Sequence, residues 1–348
     1  MRILYTALLL VACLAPVALR AQQDPMYTKY MFNSLAFNPA YAGTSDYLSA
    51  AAIVRDQWLS WDKGSGNGGA PMTYTASVHT PFQQRVGLGA FISQDQIGAS
   101  AFTQLNLSYA YRLPLTESLQ LSLGLQGGIT HHNFDFSDLR FRDDPSIDDA
   151  FQGEAGSSWM PNAGAGAYLY SDRFYVGVSV PRLFESRLNG YNTNSACETC
   201  TVRGARNYRH LYLATGAAFP LGSDDFVLKP SVLVKSVGLL SDFATSSQSV
   251  STVRTPTEFD VDVSMLFYQT LWVGTSFRST FNYLFEGVSS HDSADIWAAF
   301  FLKNGMRIGM AYDYSLTDLQ QYGNGSLELM IGYDMNFNVE KMATPRYF

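Results

Sequence analysis

The sequence predicts an all-β protein, a transmembrane antiparallel up-and-down β-barrel of about 14 strands, with 12–16 as the range. Three observations predict this fold. Apolar and polar residues alternate with a period of two in one segment after another, as they do along β-strands. Charged residues make up 15% of the 348 residues, against about 25% in soluble domains. Beyond residues 1–21, no run of about 18 apolar residues is available to form a membrane-spanning helix.

The chain begins with the pattern of a secretory signal. Arg2 supplies a positive charge, an apolar run follows, and the small residue Ala21 stands at the expected cleavage position. We therefore expect residues 1–21 to be removed during export. A second interpretation stays open, because LVAC resembles a lipoprotein processing box and would leave Cys13 as a lipidated first residue.

The segment 102–113, FTQLNLSYAYRL, shows the alternation most plainly. Leu105 and Leu107 fall on one face of a strand, whereas Gln104 and Asn106 fall on the other. A soluble β-sandwich alternates as well. Here, however, the second face consists mostly of Gly, Ser, Ala or single charges, which suits the lumen of a barrel better than a solvated surface. The same pattern recurs at 119–126, 259–267, 306–314 and 327–337.

Fourteen segments show strand-like patterning: 47–58, 72–80, 85–93, 102–113, 118–132, 158–170, 173–181, 206–219, 225–236, 257–268, 270–283, 294–303, 305–314 and 325–337. An even number fits an up-and-down barrel of bacterial type. Short joins alternate with long ones, and long loops normally face outward. Aromatic pairs near strand ends are expected to form girdles at the membrane interfaces: Tyr109/Tyr111, Tyr168/Tyr170, Phe281/Tyr283 and Tyr312/Tyr314.

The chain divides into four parts on this basis. Residues 1–21 are the signal, 22–43 form an N-terminal plug or contact segment, 44–338 form the barrel, and 339–348 form a tail. Pro345 cannot donate to a strand ladder, so the tail is expected to fold onto the rim rather than close the barrel.

The N-terminal segment matches neither a strand nor a long helix. We expect one or two helical turns between Met26 and Leu35, ended by Asn38-Pro39. Its aromatic residues are too many for a free tail. The prediction is that they pack on the lumen or the periplasmic rim, as a plug or as a contact for a partner: Tyr27, Tyr30, Phe32, Phe37 and Tyr41.

Seven charged residues fall on the presumed lumen face: Asp260, Asp262, Arg278, Arg307, Asp313, Glu328 and Asp334. A charge facing lipid at mid-membrane costs roughly 2–4 kcal/mol, so these side chains are expected to point inward. Two interpretations follow, an ion-pair network that fills the bore or the lining of a conduit. The network is favoured, because a barrel of this size encloses enough room for it.

The sequence gives little support for an enzyme, a metal protein or a nucleic-acid partner. Formal charge is −7, and no basic cluster exists. His131 and His132 are adjacent and would face opposite sides of a strand, which disfavours joint chelation. No Ser, His and acid stand in a catalytic motif, so neither catalysis nor a metal or other cofactor is expected. The acidic loop lacks calcium-loop spacing and is taken as solvated: Asp143, Asp144, Asp148 and Asp149.

Cys197 and Cys200 form a lone CETC in an exported chain. A disulfide in a loop is the favoured interpretation. A metal site would need further ligands at suitable spacing, and a redox pair would be expected to open a helix, so both are weaker alternatives.

Several blocks, in this order, resemble the PorP/SprF family: QDPMYTKYMFNSLAFNPAYAGT, RDQW, GAPMTYTASVHTPF, VGLGAFISQDQIGASAFTQLNLSYAYRLPL, LSLGLQGGITHHNFDF, RIGMAYDYSLTDLQQYGNGSLELMIGY and the ending PRYF. The resemblance extends over the mature chain. Two departures are Leu327, where a His is expected, and the CETC loop, which looks like an individual insertion.

The resemblance implies a non-enzymatic outer-membrane barrel of the type IX secretion and gliding apparatus. Such a protein contacts the other secretion components, or it helps to export a secreted adhesin or other cargo and holds it at the cell surface. The rival interpretation is a passive or ligand-specific outer-membrane channel, since barrels of this size can conduct small solutes.

Overall fold

The computed structural model describes residues 27–59, 70–134, 156–187, 206–237, 257–281, 291–321 and 323–335. Outside these residues lie the predicted signal, Cys13, the acidic loop, Cys197, Cys200 and the tail 339–348. The predictions made for them therefore stay predictions.

The described residues form 17 strands. Their bounds are β1 Leu48–Asp56, β2 Met72–Gln83, β3 Val86–Ile97, β4 Ser100–Pro114, β5 Gln120–Phe134, β6 Gly156–Tyr170, β7 Phe174–Val180, β8 Ser186–Arg187, β9 Arg206–Asn207, β10 His210–Ala217, β11 Phe219–Leu221, β12 Ser223–Val237, β13 Glu258–Phe267, β14 Leu271–Thr280, β15 His291–Phe301, β16 Met306–Ser315 and β17 Ser326–Met335.

Helical structure is confined to short turns in the part of the chain that the structure describes. They are a 3₁₀ turn at Tyr30–Phe32, an α-helical turn at Ser34–Phe37, and 3₁₀ turns at Pro39–Tyr41 and Asp318–Gln321. Among these described elements, no helix is long and apolar enough to cross a membrane.

The main sheet closes on itself. Strand β1 pairs with both β2 and β17, and β10 pairs with both β7 and β12. Strand β11 follows β10 along the same side of β12, so the two act as one interrupted strand. The described strands therefore form a closed antiparallel barrel of 14 strands, which confirms the predicted fold. Strands β8 and β9 form a separate two-stranded ribbon.

The two ends of the barrel differ. At one end, which we call the short-turn end, six joins contain only one to five residues, such as 84–85 and 302–305. Strand β1 also begins and β17 also ends here, because Leu48 pairs with Met335. At the opposite, long-connection end the joins are longer, except for the two residues 98–99.

Inward and outward faces follow the predicted alternation. Along β17, Glu328 and Met330 are buried, whereas Leu329 and Ile331 are 51% and 55% exposed. Leu125 of β5 reaches 64%. An outer wall of exposed aliphatic side chains around a polar interior is the arrangement of a barrel whose outer face contacts lipid.

The interior is occupied by residues 27–43, which we call the lumen segment. Tyr30, Leu35 and Ala40 are almost fully buried there against strands on different sides of the barrel. Three cavities between this segment and the wall measure about 30, 20 and 10 Å³. Spaces of that size hold one or two water molecules each.

Candidate functional site

The first residues of the lumen segment are bound by a carboxylate of the wall. Glu328 accepts the backbone N–H of Thr28 at 2.9 Å and that of Lys29 at 3.2 Å, one on each carboxylate oxygen. All three residues are buried. Two backbone donors on one buried carboxylate compensate for much of the water that it loses, so Glu328 holds the segment by its main chain.

Arg55 connects this carboxylate to a second one. Its Nη2 lies 2.5 Å from Asp313 Oδ2, and its Nη1 lies 3.6 Å from Glu328 Oε2. Thr28 completes the cluster, because its hydroxyl donates to Asp313 Oδ1 at 2.5 Å and accepts from Arg55. One guanidinium between two buried carboxylates is a network in which each member depends on the others.

Two further ion pairs meet the segment. Arg278 pairs with Asp260 at 2.7 Å and donates to the carbonyl oxygen of Tyr27 at 3.0 Å. Lys29 Nζ lies 3.5 Å from Asp262 Oδ2 and 4.7 Å from the centre of the Trp297 ring. Lys29 is thus the cation that the segment itself brings to the acidic wall.

The tyrosine side chains in this half are deeply buried. The hydroxyl of Tyr30 donates to Ser231 at 2.7 Å.

The second half of the lumen segment fits against wall glycines. A Cβ atom at Gly124 would lie 2.2 Å from the backbone nitrogen of Ala40, and one at Gly87 would lie 2.0 Å from the carbonyl oxygen of Ala42. At Gly166 it would lie 2.1 Å from Asn38 Oδ1. Only residues without a side chain allow the main chain to approach this closely.

Asn38 and Pro39 direct the chain across this glycine-lined wall. The Asn38 side chain accepts from Ala40 N at 2.9 Å and donates to the carbonyl of Ala167 at 3.1 Å. Pro39 takes the first position of the following 3₁₀ turn, where its fixed φ is compatible with helix. The sequence predicts that Asn38-Pro39 ends the helical part. This pair does end the α-helical turn Ser34–Phe37. It also starts the 3₁₀ turn Pro39–Tyr41, because the Asn38 side chain caps that turn.

Wall aromatics surround the segment. Phe32 packs edge-to-face on Trp272 and Trp297, with ring centres 5.1 and 5.7 Å apart. Tyr168 packs on Tyr41 at 5.6 Å. The prediction that Tyr168 and Tyr170 belong to an interface girdle is wrong, because both side chains are buried in the lumen.

The five aromatic residues singled out from the sequence all contact the wall or one another. Tyr27 packs on Phe37, and Phe37 packs on Tyr212 at 5.1 Å. Tyr41 packs on His79 at 5.1 Å. Together with the contacts of Tyr30 and Phe32, these place the predicted contact residues in the lumen rather than free at the rim. Their role in a plug or in partner binding stays a prediction.

The seven charged residues singled out from the sequence all lie on the inner face. Five belong to the three clusters above, and the other two, Arg307 and Asp334, pair at 3.0 Å near the short-turn end. Three further buried charges are not among the residues predicted from the sequence: Arg55, Lys29 and Asp295. Arg55 could have been found, since it lies two residues beyond the inward-facing Ile53 on the same strand.

The adjacent histidines separate as predicted for a strand. His131 stacks on the exposed Trp159, with ring centres 4.3 Å apart, whereas His132 is buried and contacts Ser100. Within the described ranges, no group of three or more His, Cys, Asp or Glu is arranged to hold a metal ion.

Comparison with known proteins gives one family and a set of related folds. A family model described as "Type IX secretion system membrane protein PorP/SprF" matches residues 19–333. No curated protein matches the chain.

Two solved monoaromatic hydrocarbon channels share the fold at low sequence identity. The CymD monoaromatic hydrocarbon channel matches with a TM-score of 0.53 and 12% identity, over 90% of this chain and 94% of the channel. The TodX deltaS2S3 mutant monoaromatic hydrocarbon channel matches with a TM-score of 0.52 and 12% identity, over 87% of this chain and 94% of the channel. A Pseudomonas aeruginosa FadL homologue matches with a TM-score of 0.46 and 14% identity, over 86% of this chain and 94% of the homologue. These likenesses concern the fold alone.

Proposed function

Because the chain belongs to the PorP/SprF family of type IX secretion system membrane proteins, we propose that it is a non-enzymatic outer-membrane component that helps to export a secreted surface protein or holds it at the cell surface. The cargo is an adhesin or another secreted protein, and the other partners are components of the secretion and gliding machinery. The family and the barrel fold support an outer-membrane location.

The filled lumen is the observation that carries this proposal. The lumen segment crosses the barrel, and the cavities between it and the wall in the described part of the chain include three of about 30, 20 and 10 Å³. A wall that binds this segment through buried ion pairs and close backbone contacts suits a rigid docking component better than an open conduit. In this proposal the charged residues form a network that fixes the segment, rather than a path for solute.

The segment also has a proposed role of its own. Residues 22–43 act as a plug, or as a contact for the secretion machinery. Residues 44–338 form the barrel that anchors this contact in outer-membrane lipid, and the tail 339–348 folds onto the rim.

Deletion of residues 24–42 tests the proposal. We expect cargo export or retention to be lost, and co-purification of secretion components or cargo with it, while the barrel still shows heat-modifiable migration. Gln84→Ala, in an exposed turn, is the matched control. Normal export and co-purification by a folded deletion variant would overturn the proposal.

A milder variant covers the outcome in which the deletion does not fold. Phe32→Ala removes the ring contacts with Trp272 and Trp297 but keeps the ion pairs of the segment. We expect it to fold and to show partial loss of co-purification.

Conductance in planar bilayers separates the proposal from the channel alternative. The full chain is expected to be closed, because the segment occupies the bore. A stable open pore in the unaltered protein would favour a channel.

A further inference from the structure

Strand β6 is paired along its whole length on one side and along less than half of it on the other. Strand β5 pairs with all of β6, from Gly156 to Tyr170. Strand β7 pairs only with residues 165–170. The first part of β6, which begins at the long-connection end, therefore has an edge that no described strand covers.

After β7 the chain turns to the inner side of β6. A Cβ atom at Gly164 would lie 2.4 Å from the carbonyl oxygen of Pro181, and the buried side chain of Gln126 donates to the same oxygen at 2.9 Å. The Asn162 side chain donates to the carbonyl oxygen of Phe184 at 2.8 Å and accepts from its N–H at 3.1 Å. These residues thus lie against β6 from inside and do not extend the sheet beside it.

The direction of the backbone groups defines the free edge. Leu183 donates to the carbonyl oxygen of Ala163 at 2.8 Å, so the backbone groups of Ala163 point away from β5. Every second residue of an antiparallel strand points the same way, so those of Ser157, Trp159 and Pro161 do as well. Among the described residues, none forms a backbone hydrogen bond with these three on that side.

Pro161 agrees with this assignment. Within sheets, proline is confined to positions where its missing N–H faces an edge. Here the missing N–H faces the free side, so the ladder with β5 stays intact. Residues 157–161, which we call the β6 edge, offer the N–H groups of Ser157 and Trp159 and the carbonyl oxygens of all three outward-directed residues.

The β6 edge lies at the outer membrane–water interface. Unpaired backbone groups do not face hydrocarbon, so this edge must lie beyond the hydrocarbon layer. Trp159 is 65% exposed on the outer face, and tryptophan is enriched at membrane interfaces. Long connections of outer-membrane barrels face the outside, so the edge can be reached from the cell surface.

We propose that the β6 edge binds an extended segment of the protein that the barrel exports or holds, adding it to the sheet as a further strand. Main-chain donors and acceptors that repeat every two residues, about 6.6 Å, match the ladder of another β-strand. A segment of about five residues fills the edge, with an apolar side chain opposite Trp159 to pack on the indole. The identity of the partner rests on the proposed function, whereas the free edge does not.

A second copy of the chain does not fit this edge. Strands of such barrels tilt by about 35–45° from the barrel axis. Two copies inserted the same way and related by a two-fold axis along the membrane normal would bring their β6 strands together at roughly 70–90°, twice that tilt. Strands that cross so steeply cannot form a ladder.

Amide hydrogen exchange of the purified full chain in detergent tests whether the edge is free. The amides of Ser157 and Trp159 should exchange at least about tenfold faster than that of Met160, whose N–H points to β5. Slow exchange would mean that another part of the chain covers the edge. Protection that appears in vesicles of outer-membrane lipid alone would assign the edge to lipid. Either result would overturn the inference.

Trp159→Pro and Trp159→Ala form a matched pair that tests the occupant. Both remove the indole, but only proline also removes the N–H of the edge, and it does so without breaking the ladder with β5. The amount of secreted protein that co-purifies with the barrel should be about tenfold lower for Trp159→Pro than for Trp159→Ala. Equal amounts for two heat-modifiable variants would contradict the inference. Ser157→Pro and Ser157→Ala repeat the comparison if Trp159→Pro does not fold.

The purified complex supplies the direct measurement. Bound secreted protein should slow the exchange of the Trp159 amide, and unchanged exchange there would contradict the inference. The proposed function is tested separately by the deletion of residues 24–42. If that deletion abolishes co-purification while the proline and alanine variants behave alike, the inference fails alone. If the folded deletion variant co-purifies normally, the proposed function fails.

Discussion

The two halves of the lumen segment are held by different kinds of interaction. Residues 27–33 meet the wall through buried ion pairs and charge-assisted hydrogen bonds. Residues 38–43 meet it through close packing of main chain on glycine. Charge contacts depend on every partner being present, whereas steric fit depends only on the absence of side chains. A single substitution in the wall should therefore affect one half and spare the other.

Arg55→Met should have the largest effect. It removes the cation between Asp313 and Glu328 and leaves two buried carboxylates without their positive partner, which costs about 3–5 kcal/mol of unfolding free energy. The denaturant midpoint of the folded, heat-modifiable form measures this loss. Trypsin should also begin to cut after Lys29, because residues 27–33 are released.

Arg85→Met is the matched control for that experiment, since Arg85 lies exposed in a short turn. Equal midpoints and equal trypsin patterns for the two variants would contradict the role given to the Arg55 cluster.

Gly124→Leu should have the next largest effect and should act on the other half. The new side chain would overlap the main chain at Pro39 and Ala40, so either residues 38–43 or the strand must move. This movement costs about 3 kcal/mol of unfolding free energy. The same denaturant midpoint measures the loss. Gly127→Leu on the same strand is the control, because nothing lies within 4 Å of a Cβ there. Similar losses of unfolding free energy for both variants would contradict the role given to the close approach of the main chain to Gly124.

Asn38→Ala should have the smallest effect of the three. It removes the cap on Ala40 N and the hydrogen bond to the Ala167 carbonyl, which lowers the unfolding free energy by about 1–2 kcal/mol. Asn304→Ala, which removes one backbone contact in an exposed turn, should change the midpoint less. A reversed order of these two midpoints would count against the capping role.

Much of the barrel follows from the sequence. Period-two alternation identifies the faces of β17, where Glu328 is buried and Leu329 and Ile331 are exposed. It also gives the strand number, because each strand carries its own pattern. It cannot tell which inward residues are aromatic partners of the segment. Trp272 and Trp297 occur in runs that are apolar on both faces, so they give no alternation signal.

The contacts inside the lumen are harder to predict for a geometric reason. Thr28 and Glu328 are 300 residues apart, and only closure of the barrel and the path of the segment bring them together. The glycine fit left a weaker signal that could have been used. Gly124 and Gly166 are directly paired on neighbouring strands and both fall on the inner face, which indicates a close approach of main chain.

The cluster around Arg55 also has a consequence for biogenesis. Arg55 belongs to the first strand, Asp313 and Glu328 to the last two, and Thr28 bridges them. A residue near the start of the chain thus bridges the first and last strands at the place where the sheet closes. Entropy lost in bringing such distant parts together is offset only when both are in place. The lumen segment therefore adds to the closure of the barrel, and its contribution is complete only after the last strand has paired with the first.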